Sequence, residues 1–92
     1  MINTDYIQQK FFWIYPNPST EQVHLQLLQS LQLKQVQFYD IMGIERYPEY
    51  RLESSSALVD VHTLSNGTYL TRVSYIRKGV PGTFMLPFIV AH

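Results

Sequence analysis

The residues able to do chemistry are few: three histidines, seven Asp or Glu side chains and no cysteine. His24, Asp60 and His62 are the ones a folded chain can bring together. Asp60 and His62 are two positions apart, so on a strand both side chains leave the same face. A His–carboxylate pair suits proton transfer, and a second imidazole would extend it toward a metal site. The plainer reading makes all three outward polar positions on alternating strands, because metal binding needs a convergent cluster and not isolated histidines. Asp40 and Asp60 equally suit turns and strand ends, where a carboxylate accepts hydrogen bonds from nearby backbone N–H groups. No Gly-x-Ser-x-Gly elbow, phosphate-binding glycine loop or His-Glu-x-x-His motif is present. The sequence thus calls for no enzyme activity, no metal and no cofactor.

Aromatic residues make up 14% of the chain, enough to ask whether they form a platform. Tyr39, Tyr47 and Tyr50 can share one solvent-facing sheet surface and stack on a sugar or a partner. Against this, tyrosines commonly cover sheet faces and fill sandwich cores with their hydroxyls in water. Basic residues are scattered, and only Arg77 and Lys78 adjoin. With seven basic residues against seven acidic, the chain has no basic stripe for nucleic acid or for an anionic membrane.

The elements that must hold these residues are strands. Ninety-two residues allow one domain, and 46% hydrophobic content is too apolar for a disordered chain. No run is long enough to span a membrane, and the apolar stretch Phe11–Tyr15 is too short for a signal peptide. Residues 1–10 read as a lead-in or linker and 11–92 as the domain. Phe11–Tyr15 reads as a first strand, stopped by Pro16, Asn17 and Pro18. Residues 21–38 are rich in Gln and Leu, and Ser19 with Gln22 resembles a helix capping box. Yet Val23, Leu25 and Leu27 alternate with polar residues, as do Val36 and Phe38, and period two favours strands. The change of phase between these blocks asks for a turn, placed at Gln29–Leu33. Asp40 to Gly43 reads as a type I turn. Ile44–Tyr50 reads as an extended segment with Pro48 at an edge or bulge. Glu53–Ser56 reads as a loop, and Ala57, Val59 and Val61 mark a further strand. Ser65–Gly67 reads as a turn with positive φ. Gly67–Arg77 is the longest strand, Lys78–Gly82 a turn, and Thr83–Val90 the last strand, where Pro87 sets an edge or a bulge. About seven short strands at this rhythm predict an all-β, antiparallel sandwich.

Three segments carry a family resemblance. They are Tyr15-Pro16-Asn17-Pro18, then Val36 to Gly43, then Val59 to Leu70 with Asp60, Leu64, Gly67 and Tyr69. In that order they resemble the type A C-terminal sorting domain of the type IX (Por) secretion system. The resemblance implies an immunoglobulin-like sandwich in which Pro16, Asn17, Pro18, Asp40, Gly43, Asp60, Leu64, Gly67 and Tyr69 are scaffold residues. Leu64 would plug the open end of the sandwich. It also implies a non-catalytic targeting module at the end of a longer exported protein, with its cargo and signal peptide upstream. Its partners would be outer-membrane translocon components and a sortase-like peptidase. Its destination would be the outer membrane, the cell surface or the medium. The sequence departs from the family pattern in having no Lys or Arg after Lys78. For partner contact the final strand is the candidate, with Phe84, Leu86, Phe88 and Val90, because an edge strand offers unpaired backbone groups. The alternative is an immunoglobulin- or fibronectin-like accessory module that binds carbohydrate or protein.

Overall fold

The computed structural model describes residues 12–15 and 21–92. Among these are eight strands: β1 (Phe12–Tyr15), β2 (Gln22–Leu27), β3 (Leu31–Asp40), β4 (Glu45–Arg46), β5 (Tyr50–Leu52), β6 (Ser56–Asp60), β7 (Gly67–Arg77) and β8 (Val80–Val90). They form two four-stranded antiparallel sheets, ordered β1-β2-β6-β5 and β4-β3-β7-β8. This is the order of an immunoglobulin-like sandwich. The predicted turn at Pro16–Pro18 lies outside the described residues.

Alternation decides which side chains meet between the sheets. Val23, Leu25 and Leu27 of β2 point inward, as do Ala57 and Val59 of β6. From the other sheet come Val36, Phe38, Tyr69, Val73, Leu86, Phe88 and Val90, in one continuous core. Each fully buried aliphatic or aromatic side chain contributes on the order of 2 kcal/mol. The helix-like composition of residues 21–38 is overridden, because only an extended backbone sends this odd-numbered series to one face.

Three local expectations are corrected. The turn between β2 and β3 is confined to residues 28–30, closed by Leu31 N–H donating to the Leu28 carbonyl at 2.9 Å, and Leu31 and Leu33 already lie in the core. The change of phase comes instead from a bulge between Leu33 and Gln35, which moves the buried series from odd to even positions. The predicted strand Ile44–Tyr50 is split. Pro48 cannot donate to a ladder, and the chain crosses there from β4 in one sheet to β5 in the other, making eight strands instead of seven. The predicted turn at Lys78–Gly82 shrinks to Lys78 and Gly79, with φ of 50° and 79°. Two consecutive positive φ values are what a type I′ hairpin turn requires, so Pro81 and Gly82 belong to β8. β8 is an edge strand, in keeping with Pro87. The four edges differ in length: β1, β4 and β5 have 4, 2 and 3 residues, and β8 has 11.

One buried group is at odds with its surroundings. Thr71 is 1% exposed, and its Oγ1 has no hydrogen-bond partner. Valine has the same shape without the hydroxyl. Thr71→Val is therefore expected to stabilise the domain by about 1 kcal/mol, seen as a rise of several degrees in melting temperature. A fall in melting temperature would show that the hydroxyl is satisfied.

Candidate recognition surface

Strand directions bring the second and third of the family-like segments to one end of the sandwich. Asp40 at the end of β3 pairs with Tyr69 near the start of β7, and Gly67 pairs with Val90 at the end of β8. In the other sheet, Gln22 at the start of β2 pairs with Asp60 at the end of β6. Val61 N–H donates to the Glu21 carbonyl at 2.8 Å across the same end. The turns after β3 and after β6 and the end of β8 therefore all meet there. So does Glu21, just beyond the Pro16–Pro18 segment.

Asp40 organises the first turn. Its Oδ1 accepts from the N–H groups of Met42 and Ile44 at 2.9 and 3.0 Å, and its Oδ2 accepts from Arg46 Nε and Nη2 at 3.1 and 2.9 Å. Gly43 N–H closes the turn onto the Asp40 carbonyl at 3.0 Å, with Gly43 at φ 82°. The Ile44 N–H, and after it the Arg46 side chain, holds the Asp40 carboxyl below its usual range. Asp40 and Gly43 were legible from their spacing. Arg46 was not, although a cation six positions on, across a tight turn, is the signal that could have found it.

The second turn is a tyrosine corner. Tyr69 donates its hydroxyl to the Ser65 carbonyl at 2.6 Å, and its ring stacks on Phe88 with centroids 5.7 Å apart. Leu64, 8% exposed, joins the core from this turn, and its N–H donates to the Val61 carbonyl at 3.0 Å. The corner is also tied to the end of β8. His92 N–H donates to Asn66 Oδ1 at 2.8 Å, and its Nε2 lies 2.7 Å from the Leu64 carbonyl. No sequence pattern announces this tie, because its members are 26 and 28 positions apart.

Asp60 and His62 do meet: Asp60 Oδ1 accepts from His62 N–H at 3.1 Å and lies 2.5 Å from His62 Nδ1. His24 is engaged elsewhere, stacked on Tyr15 with ring centroids 5.0 Å apart. Among the described residues no group of three or more His, Asp and Glu is placed to hold a metal ion. The pair is a local clasp at the strand end. Asp60 raises the pKa of His62, and His62 in turn lowers that of Asp60. The imidazolium is thus favoured by folding, so its contribution is whole below about pH 6.5 and fades as pH rises through the higher folded value. The Asp60 contribution is present above pH 3.8 and fades as pH falls through the lower folded value. Wild-type protein is expected to lose melting temperature above pH 6.5, and His62→Gln should flatten that limb. Superimposable profiles would show the clasp to be inert.

The tyrosines do not form one platform. Tyr39 lies on the outer face of β3, beside Leu70. Tyr47 is 81% exposed in the crossing segment, and Tyr50 starts β5 in the other sheet, near Phe38. Of the final-strand candidates, Leu86, Phe88 and Val90 are buried and Phe84 is half-buried. Facing outward on β8 are Thr83, Met85, Pro87 and Ile89.

No helix among the described residues is long and apolar enough to cross a membrane. No curated protein and no solved structure matches the chain. One family model does: that of the secretion system C-terminal sorting domain, over residues 13–80, from β1 to the first residue of β8. That range takes in Asp40, Gly43, Asp60, Leu64, Gly67 and Tyr69, the residues that build the shared end of the sandwich. With more than half of its length matched, the chain belongs to the family of C-terminal sorting domains of type IX secretion.

Proposed function

We propose that this domain directs an attached cargo protein across the outer membrane by being bound, in its folded state, by the type IX export apparatus. The observation that carries this reading is the family match over residues 13–80. The gathering of the matched turns at one end of the sandwich supports it. The domain acts as a ligand and not as a catalyst. Its partners are translocon components, followed by a sortase-like peptidase that removes the domain from the cargo. The cargo ends at the cell surface or in the medium.

The test is a fusion with an inner-membrane signal peptide and a reporter upstream, in a host that has the type IX apparatus. Reporter activity is expected outside the cells. Retention in the periplasm, while a typical sorting domain exports the same reporter in parallel, refutes the proposal.

A further inference from the structure

The outer face of the sheet β4-β3-β7-β8 carries a feature that the family match does not explain. Register sets Tyr39 beside Leu70 and Leu70 beside Pro87; the next row sets Gln37 beside Arg72 and Arg72 beside Met85. The turn after β3 adds Ile41, which is 77% exposed, and Met85 is 47% exposed. Together Tyr39, Ile41, Leu70, Arg72 and Met85 line a shallow groove of about 440 Å³, which Asp40 and Gly43 complete.

Its charge is unbalanced. Among the described residues Asp40 is the one carboxylate lining the groove, and it is already neutralised by Arg46 and two turn N–H groups. Arg72 is exposed, and among the described residues its guanidinium has no hydrogen-bond or ion-pair partner. An apolar trough with one uncommitted cation is complementary to an aliphatic side chain beside a carboxylate. A lipid surface would call for a cluster of cations, and among the described residues this groove has one. A second copy docked groove to groove about a two-fold axis would bring a second Arg72 and, among the described lining residues, no uncommitted carboxylate to answer it.

We propose that this groove binds a protein segment in which an aliphatic residue adjoins Asp or Glu. Resting on the sorting reading, we place that segment on the export apparatus. Arg72 holds the carboxylate, and Ile41, Leu70 and Met85 hold the aliphatic group.

The probe is a capped Leu-Glu-Leu tripeptide and its Leu-Gln-Leu twin, titrated into the nitrogen-labelled chain and followed by amide chemical shifts. The Glu peptide is expected to shift Tyr39, Ile41, Leu70, Arg72 and Met85. The Gln twin should bind up to about fivefold more weakly. Arg72→Glu should abolish the difference, Arg72→Lys should keep it, and Met85→Glu should weaken both peptides. Dispersed spectra and unchanged melting temperatures check that the variants fold. Absence of shifts at the groove, or equal binding of the two peptides, overturns the proposal. So does binding of the chain to phosphatidylglycerol vesicles that Arg72→Glu abolishes, with no peptide response. None of these failures touches export of the unaltered fusion, whereas periplasmic retention of that fusion removes the sorting reading by itself.

Discussion

Phe88→Ala is expected to lower the melting temperature by about 20 °C, which for a small domain is a large share of its total stability. Phe88 is 1% exposed, stacks on Tyr69 and meets Phe38 edge-on with centroids 6.4 Å apart. Removing the ring leaves a cavity bounded by β3 and β7, whose long ladders hold the walls in place and prevent collapse. The cost should fall at the upper end for such truncations, about 4 kcal/mol. Thermal unfolding followed by circular dichroism measures it. A drop of only a few degrees would show that the core repacks around the void. The effect also bears on the family match, which stops at residue 80, before Phe88. The unmatched strand supplies a keystone of the core, so truncating the chain there should be as damaging as the point substitution.

Gly67→Val is the second large effect, with an expected loss of about 2 kcal/mol. Gly67 has φ 153°, a conformation that side-chain-bearing residues rarely adopt and β-branched ones least of all. A Cβ built there meets nothing within 4 Å, so the strain is in the backbone and not in a clash. Gly67→Ala should therefore lose stability as well, with Val losing more. The damage should centre on the tyrosine corner, since Gly67 lies between Ser65 and Tyr69, the two ends of its hydrogen bond. Urea unfolding of both variants gives the magnitudes, and an unchanged midpoint for Val contradicts the argument.

Much of this fold is legible in the alternation of residue types. Val23, Leu25 and Leu27 announce β2, and the bounds of β7 at Gly67 and Arg77 are those the pattern predicts. What the pattern hides is where one strand changes face. The bulge between Leu33 and Gln35 breaks the period without Gly or Pro to mark it, so the phase change reads as a turn. Pro48 is visible, but that the chain uses it to cross between sheets depends on tertiary pairing that no local signal carries. Pro81 and Gly82 look like turn residues, yet Lys78 and Gly79 already reverse the chain. The site divides in the same way. Asp40 and Gly43 span a turn that their spacing announces, Leu64 and Tyr69 enter the reading through the family resemblance, and Arg46 and His92 act through pairings that no short pattern marks. His24, a plausible third member of the Asp60–His62 pair, is drawn off by Tyr15 from another strand.

The unequal edges bear on solubility. Among the described residues three of the four are short, and the long one, β8, contains Pro81 and Pro87. These are six positions apart and so of the same parity along the strand. Their missing N–H groups therefore fall on the same side of the strand, the side facing away from β7. A neighbouring molecule laid against β8 would meet two gaps in any continuous ladder. The long edge of this sorting domain thus carries its own protection against fibrillar self-assembly.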